Sequence, residues 1–367
     1  MKNNLIAPFK ALRVSSKHAP KIVAPPYDVV TREEAINQIK GNPYHFLRVS
    51  RAEIELSSTT DPYSSDVYRN AKDNFNKLIS ESVLTQCAKP SLFIYQMVNQ
   101  GNTQTGIACT ASISAYANGR IRRHEFTRPA KENDRVQHIK TLSAQTGPVL
   151  LAHRPYAPLY KIINGIIEAT KSPDISVKSI DDIQHNIWSI DEPSSVMELA
   201  NIANEIDYLY IADGHHRCAA AAKVFEACPE TSKYFFSVLM ASDQLEILPY
   251  NRIVKDLNGH NELDFLTLLD QKFHVQPIDT SVTAPQDGQI HMYLSERWWG
   301  LVRRAPLSKI SNTLSQLDVS LLMHDILEPL LGILDARTDP RLEFVGGNDS
   351  KTKIKSLVDV GKANVGF

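Results

Sequence analysis

The pattern of apolar and polar positions changes repeatedly between the period of strands and that of helices. The runs PSLFIYQMV, TGIACTASISAYA and YFFSVLMAS predict strands, and the last of them is expected at the centre of a sheet. Helical spacing of apolar residues occurs in SSDVYRNAKDNFNKLISESVL with Ser64 or Ser65 as cap, in APLYKIINGIIEATKS, and from Lys131 to about Ala144. The interleaving predicts a mixed α/β (α+β) fold.

Shorter patterns complete the predicted order of elements. LIAPFKALRV is extended, Thr31 caps a helix in TREEAINQI, and HFLRVS predicts a short strand. Asn118-Gly119 predicts a hairpin turn into RIRRHEF. QLDVSLLMHDILEPLLGIL predicts one long apolar helix or two, and RLEFVG a late strand. No low-complexity linker is present, and we divide the chain into an α/β core, residues 1–242, and a C-terminal α+β region, residues 243–367.

Composition and charge argue against several classes of protein. Of 367 residues, 43% are hydrophobic and 22% charged, and the net charge of −1 gives no general attraction to nucleic acid or anionic membranes. The four cysteines are scattered, which fits a reducing compartment, and no apolar run approaches the ~18 residues of a membrane span. We expect a cytoplasmic protein with neither membrane nor nucleic acid as partner, and the oligomeric state stays open.

The densest chemistry lies in the stretch YLYIADGHHRCAA. A strand pattern stops at Asp213-Gly214, and His215, His216 and Arg217 open what the alanines predict to be a helix. Gly214 allows a tight turn with positive φ. The first amides of such a helix are unpaired and its dipole is positive there, which favours an anion. Adjacent histidines cannot point the same way, so we expect one of them to face a pocket.

Two interpretations of this corner stay open. In the functional one, Arg217 grips phosphate or carboxylate, and Asp213 caps the helix or holds Mg²⁺ or a substrate amine. In the structural one, Asp213 is only a cap and Arg217 locks the corner by pairing with an acidic neighbour. Replacing a phosphate-binding Arg217 would weaken ligand binding and hardly change stability, whereas replacing a structural one would do the reverse.

A second cluster lies in RRHEFTRPAKENDRVQHIK. His124 and Glu125 end a predicted strand, and the helix that follows carries polar residues at i, i+3 and i+4, on one face. These residues are Lys131, Asp134, Arg135 and His138. A solvated charged face is the plain explanation. With His-Glu directly before it, the cluster could instead hold a divalent cation or perform acid/base work, although its spacing is not that of a zinc site.

The two clusters are expected to converge. Ligands in open α/β sheets bind beyond the carboxyl ends of strands, so His124 and Glu125 are predicted within about 10 Å of Asp213. Two prolines in VAPPYDVV stiffen the chain before Tyr27 and Asp28. These two residues either border the same pocket or belong to a plain proline turn.

Six segments together carry a resemblance to a known family. VAPPYDVV, NPYHFLRVSRAE, RRHEFTRPAKENDR, IADGHHR, LEILPYNRIV and LDVSLLMHDILEPLLGI occur in the order and approximate spacing of the bacterial and archaeal family called domain of unknown function 1015. The Asp-Gly-His-x-Arg element also resembles the phosphate-binding corner of the ParB partition proteins, sulfiredoxin and the ADP-dependent free-serine kinases. Asn251 departs from the His that commonly precedes Arg252 in the family. The chain is also expected to end short of the family's final strand and lysine-containing tail.

The resemblance implies a ParB/sulfiredoxin-like phosphate-binding core with additional strands and helices. It implies phosphoryl transfer to or from a small hydroxylated metabolite, with serine or phosphoserine as the favoured substrate. The reaction would run in the kinase or the phosphatase direction. The small-molecule phosphorylated substrate would be joined by ADP or ATP as co-substrate and by Mg²⁺. The alternative is a non-catalytic nucleotide-binding regulatory module of the ParB type.

The candidate site residues fall into three groups. The acid/base or nucleophilic candidates are His124, Glu125, Asp213, His215 and His216. The candidates for binding phosphate or substrate are Gly214, Arg217, Asp134, Arg135, Tyr27 and Asp28. The candidate metal ligands are Glu125, Asp134 and Asp213.

Overall fold

Two compact units make up the chain. The computed structural model describes residues 4–124, 127–230, 232–279, 288–307, 310, 312–347 and 349–367. The units are Met1–Glu246 and Ile247–Phe367, whereas the sequence patterns placed the division after residue 242. Strands and helices interleave, which confirms the mixed α/β class.

The first unit contains strands β1 to β11 and helices α1 to α9. The strands are Ile6–Ala7, Leu12–Val14, Leu84–Gln86, Leu92–Asn99, Asn102–Ser112, Ile121–Arg122, Val149–His153, Ile175–Lys178, Gln184–Ile190, Leu209–Asp213 and Tyr234–Ala241. The helices are Ala19–Ile22, Arg32–Ile39, Leu47–Ser50, Ser65–Ser80, Ile113–Ala117, Pro129–Leu142, Ala157–Thr170, Pro193–Asn204 and His215–Ala227.

One large mixed sheet organises this unit. In the described residues its order is β6-β10-β7-β11-β5-β4-β9-β8, with β1 beside β5, and β2 pairs with β3 separately. The predicted central strand, β11, lies between β7 and β5. Strand β10 runs parallel to β6, with Leu209 opposite Ile121, and antiparallel to β7. The carboxyl ends of β6 and β10 therefore meet the amino end of β7 at one edge of the sheet.

Helix α9 is rich in alanine because it packs closely on two sides. Cys218 and Ala221 belong to the buried core of the large sheet. Ala220 and Val224 contact Val136 of α6 instead. The two helices that carry the predicted polar clusters are thus neighbours, and small side chains set their close approach.

The second unit contains strands β12 to β17 and helices α10 to α12. The strands are Tyr250–Val254, Phe273–Pro277, Gln289–Leu294, Arg297–Arg303, Leu342–Gly346 and Val365–Gly366. The helices are Glu262–Asp270, Asp318–Leu322 and Ser350–Asp359. As far as the structure describes this unit, its sheet is antiparallel, in the order β13-β15-β14-β17-β12-β16. Its core has Phe265, Met292 and Leu301 fully buried.

Several predicted elements are confirmed. Thr31 caps α2 in a capping box, since its side chain accepts from the Glu34 amide at 3.2 Å and the Glu34 carboxylate accepts from the Thr31 amide at 2.8 Å. Helix α4 begins at Ser65, directly after Ser64. The helix in APLYKIINGIIEATKS is α7, and RLEFVG contains β16.

Other predicted elements are wrong. HFLRVS forms helix α3 and not a strand, and TGIACTASISAYA ends in helix α5 after Ser112. Asn118-Gly119 turns the chain between α5 and β6, so no hairpin forms there. In the long apolar segment, α11 continues directly into a π-helical turn, Met323–Leu327, so the predicted helix is present but shorter than its pattern. Near the end of the chain, β17 pairs with both β12 and β14.

None of the described helices is both long enough and apolar enough to cross a membrane.

Candidate functional site

The strand-to-helix corner predicted at Asp213 is present. Strand β10 ends at Asp213, Gly214 is the N-cap residue with a φ of +95°, and α9 begins at His215. A Cβ on Gly214 would lie 3.2 Å from the Cα of Val149 and 3.2 Å from the guanidinium carbon of Arg217. Backbone conformation and space therefore both require glycine here. Because Gly214 is the N-cap residue, the prediction that Asp213 caps the helix is wrong.

Arg217 folds back over this corner. Its Nη2 donates to the carboxylate of Asp213, and its Nη1 donates to the carbonyl of Pro148. The side chain of Arg217 is 13% exposed, while that of Asp213 is 63% exposed. These charge-assisted bonds tie the end of β10 to the residue before β7, which is the geometry of the structural interpretation.

The three histidines of the two clusters have different surroundings. His215 is buried and packs edge-on against the exposed His124, with ring centroids 4.5 Å apart. This confirms that His124 converges with the corner, whereas its neighbour Glu125 lies outside the described residues. The Nε2 of His216 accepts from the Arg128 amide at 3.0 Å, so its neutral ring carries the proton on Nδ1.

The second cluster forms one face of α6, as its spacing predicts. A cavity of about 240 Å³ in the first unit is lined by Lys131, Asp134, Arg135 and His138. We call it the α6 cavity. Asp134 accepts from the Tyr68 hydroxyl at 2.9 Å and from Nε and Nη2 of Arg135 at 2.9 and 2.6 Å. Both carboxylate oxygens of Asp134 therefore have donors, and a metal would have to compete with them.

His138 is almost fully buried beside this carboxylate. Its Nε2 lies 3.0 Å from the carbonyl oxygen of Val49, and because a carbonyl only accepts, Nε2 carries the proton. Burial, followed by the charge of Arg135, lowers the pKa of His138 from 6.5 to about 4. The ring is therefore neutral near pH 7, and its Nδ1 is a hydrogen-bond acceptor.

Tyr27 lies within electrostatic reach of both clusters. The guanidinium carbon of Arg135 is 4.2 Å from the centroid of the Tyr27 ring. Burial raises the pKa of Tyr27 above its ordinary 10.0, and the charge of Arg135 opposes that rise most. Asp28, Arg217 and Asp134 act on the same hydroxyl more weakly. Tyr27 and Asp28 line the α6 cavity together with Asp134 and Arg135. The corner residues Asp213 and Arg217 are not in the described lining of this cavity, so a pocket shared by Tyr27, Asp28 and the corner stays a prediction.

A salt bridge joins the two helices that carry the clusters. Glu132 of α6 is buried, and it is paired with Lys223 of α9 and with the hydroxyl of Thr127. Burial alone would raise the pKa of Glu132, but the hydrogen bonds from Lys223 and Thr127 outweigh it and lower the pKa. The carboxylate is thus ionised and fixes α6 relative to α9.

The described residues do not form an evident metal centre. Among them, no group of three or more His, Cys, Asp or Glu side chains is arranged to hold a metal ion. Of the three predicted ligands, Glu125 lies outside the described residues. Asp134 is paired with Arg135, and Asp213 with Arg217.

Sequence reasoning missed residues that build the cavity from other elements. Nη1 of Arg51 donates to the carbonyls of Tyr27 and Val30, at 2.9 and 2.7 Å, and so fixes the segment that carries Tyr27. No local pattern around Arg51 indicates this long-range role. Tyr68 could have been found, because helical spacing puts it on the buried face of α4 beside Val67 and Ala71.

Fold and site together define a mixed α/β protein whose polar residues converge at a corner between parallel strands and a helix N-terminus. A family model described as "Protein of unknown function (DUF1015)" matches residues 6–320, and the chain belongs to this family. The family resemblance is thereby confirmed. No curated protein and no solved structure is significantly similar to the chain. The likeness to ParB proteins, sulfiredoxin and free-serine kinases stays a prediction.

Proposed function

We propose that the protein is a phosphoryl-transfer enzyme acting on a small hydroxylated metabolite, with serine or phosphoserine as the first substrate to test. The observation that carries the proposal is the 4.5 Å packing of His124 against His215 at the amino end of α9. Phosphoryl transfer needs an anion site and a group that moves the proton of a hydroxyl. A helix N-terminus beside two imidazoles supplies both kinds of group.

The exposed His124 is the proposed acid/base, and the buried His215 orients it. In the kinase direction, the substrate hydroxyl gives its proton to His124 while its oxygen attacks the terminal phosphorus of ATP or ADP. The bond from that phosphorus to the bridging oxygen breaks, and ADP or AMP leaves with the bond's electron pair. In the phosphatase direction, water attacks the phosphorus of the phosphorylated metabolite, and the bond from that phosphorus to the metabolite oxygen breaks. The metabolite leaves with the electron pair of that bond, and His124 passes the proton taken from water to the leaving oxygen.

The phosphate would lie against the first amides of α9. Gly214 lets the chain approach it closely, and Arg217 acts as a nearby cation that also holds the turn in place. Mg²⁺ would be bound mostly by nucleotide phosphates and water, with Asp213 as the exposed carboxylate within the site. Asp134 enters as a support for Arg135 and less readily as a metal ligand.

One observation favours the second candidate, a non-catalytic nucleotide-binding regulatory module. Asp213 is paired with Arg217, and Asp134 with Arg135. A bound phosphate that drew either arginine away from its aspartate would change the corner without any chemistry, which is how a nucleotide-controlled switch works.

Phosphorus NMR separates the two candidates. The full chain is incubated with Mg²⁺ and either ATP and serine, ADP and serine, or phosphoserine alone. The enzyme predicts new phosphorus resonances, and His124→Gln is expected to slow their appearance about 100-fold or more. The matched control, His274→Gln, replaces an exposed histidine of β13 and is expected to leave the rate unchanged. Saturable nucleotide binding without turnover would identify the regulatory module, and no binding in any mixture would contradict both candidates.

A further inference from the structure

The walls of the α6 cavity come from elements far apart in the sequence and are joined by hydrogen bonds. Arg51 holds the Tyr27 segment through two backbone carbonyls, while Asp134 fixes Arg135 and receives the Tyr68 hydroxyl. Arg135 in turn lies over the Tyr27 ring. A cavity whose polar walls are already fixed loses little conformational freedom when a ligand enters, so it is preorganised for binding.

Two buried groups on these walls keep hydrogen-bonding capacity. Arg135 is 8% exposed, and its Nε and Nη2 are used by Asp134, but Nη1 has no protein acceptor in the part of the chain that the structure describes. His138 is 4% exposed, and with Nε2 bound to Val49 its neutral ring offers Nδ1 as an acceptor. A guanidinium donor and an imidazole acceptor thus belong to one cavity.

The size of the cavity limits what could fill it. Its volume of about 240 Å³ is below the roughly 300–1,000 Å³ of pockets that hold drug-sized ligands. A compact metabolite fits this volume, and a whole nucleotide does not. In the lining, Arg51 is paired with Glu53 and Arg135 with Asp134. The exposed Lys131 at the start of α6 adds a third positive charge, and the exposed Asp28 a third negative one.

We propose that this cavity binds a compact organic acid that also carries a hydroxyl or amino group. Its acid group, carboxylate or phosphate, would pair with Arg135 and Lys131. Its hydroxyl or amino group would donate to Nδ1 of His138. The inference deepens the proposed function, because it separates a metabolite pocket on α6 from the place of the phosphoryl donor at α9. It rests on that function only for the reaction and not for the binding.

Histidine NMR tests the pocket directly. Full-length protein labelled with ¹⁵N in its histidines is titrated with D-glycerate, L-serine, O-phosphoserine, L-lactate and inorganic phosphate, and the His138→Gln variant assigns the His138 resonances. At least one of the organic acids is expected to shift Nδ1 of His138, and ADP is expected to leave it unshifted. If none of the organic acids shifts this resonance, or if ADP does, the inference is wrong.

Variants of α6 give an independent check. Arg135→Met is expected to weaken binding of the best acid about tenfold or more, because one charge-assisted pair is lost. Arg135→Lys, which keeps the charge and a partner for Asp134, covers the case in which the Met variant does not fold, and it should bind more weakly than wild type. Lys140→Met, on the exposed side of the same helix, is the matched control and should bind normally. Equal affinity in the Lys140 and Arg135 variants would overturn the assignment.

The histidine NMR test of the pocket and the phosphorus NMR test of the enzyme can succeed or fail independently. A ligand that shifts Nδ1 of His138 without any new phosphorus resonance supports the pocket and contradicts the enzyme. Turnover with unshifted His138 resonances supports the enzyme and contradicts the pocket.

Discussion

Arg217 connects the end of one strand to the beginning of another through two hydrogen bonds. We expect Arg217→Ala to lower the free energy of unfolding by about 2–3 kcal/mol, since the Asp213 carboxylate and the Pro148 carbonyl both lose a charged donor. Arg217→Lys should recover only part of this, because an ammonium cannot serve both acceptors with the geometry of a guanidinium. Urea unfolding followed by circular dichroism measures the differences.

The matched control for Arg217 is an exposed pair with the same i, i+4 separation. Lys178 and Asp182 are 58% and 83% exposed, and Lys178→Ala should cost less than about 1 kcal/mol. If the Arg217 and Lys178 variants are equally stable, the structural role of Arg217 is contradicted.

The lowered pKa of the buried His138 predicts that the free energy of unfolding depends on pH. Its pKa is about 4 in the folded protein and 6.5 as the ordinary value, so between these pH values the unfolded chain binds the proton more readily. The stability present above pH 6.5 is therefore lost as the pH falls towards 4, by about 3 kcal/mol in total.

Urea unfolding at several pH values measures this loss. His138→Gln retains a donor for the Val49 carbonyl but does not titrate, so its stability should depend less on pH in that window. Parallel pH profiles for the wild type and the variant would show that another group is responsible.

At the scale of elements, the contact between α6 and α9 combines apolar packing with a partly buried ion pair between Glu132 and Lys223. Removing Lys223 leaves Glu132 buried without its cation. We therefore expect Lys223→Met to destabilise the protein more in the wild-type background than in the Glu132→Gln background. A double-mutant cycle should give a coupling energy of about 1–2 kcal/mol. Additive single-mutant effects would mean that apolar contacts such as Ala220 with Val136 hold the helices alone.

Elements could be predicted from the sequence where a local signal agrees with tertiary packing. The capping box at Thr31 and the small residues of α9 are such signals. The strand prediction for HFLRVS was wrong because six residues are too few to tell the period of a strand from that of a helix. Its interior residues Leu47 and Val49 are buried in the helix that forms. Asn118-Gly119 correctly marks a turn, but it follows helix α5, and the strand after it, β6, pairs with the distant β10 and not with a hairpin partner.

The candidate site could be predicted in part for the same reason. The helical spacing of Asp134 and His138 and the proximity of His124 to the corner follow from periodicity and from strand ends. The cavity wall that Arg51 builds has no local signal, because its acceptors are backbone carbonyls more than twenty positions away, as in its bond to Tyr27. Likewise, no local pattern indicates that Arg217 donates to the carbonyl of Pro148, because that carbonyl precedes β7, far from Arg217 in the sequence.

At the scale of the whole molecule, the segment between the two units is a predicted site of proteolysis. Ile247 is 97% exposed and Leu248 45% exposed, directly after the boundary at Glu246. We expect limited digestion with thermolysin, which cleaves before large apolar residues, to cut there first and release two resistant fragments. Mass spectrometry of the fragments identifies the cut.

A double variant supplies the control for this digestion. Ile247→Ser combined with Leu248→Ser should slow the first cut, whereas Leu263→Ser, at a position that is 74% exposed but inside α10, should not. A first cut within α6 or α9 would contradict the two-unit organisation.

The pairing of β6 with β10 also has a consequence during synthesis on the ribosome. Roughly 90 residues separate His124 from His215, and translation at about 5–20 residues per second takes several seconds to cross that interval. Strand β6, only two residues long, pairs with β10, and among the described strands none that precedes β6 in the sequence pairs with it. Until β10 emerges from the exit tunnel, the nascent chain lacks the imidazole pair altogether. A truncated polypeptide released in that interval would carry His124 without its partner, so any chemistry that needs both rings begins only after the sheet edge is complete.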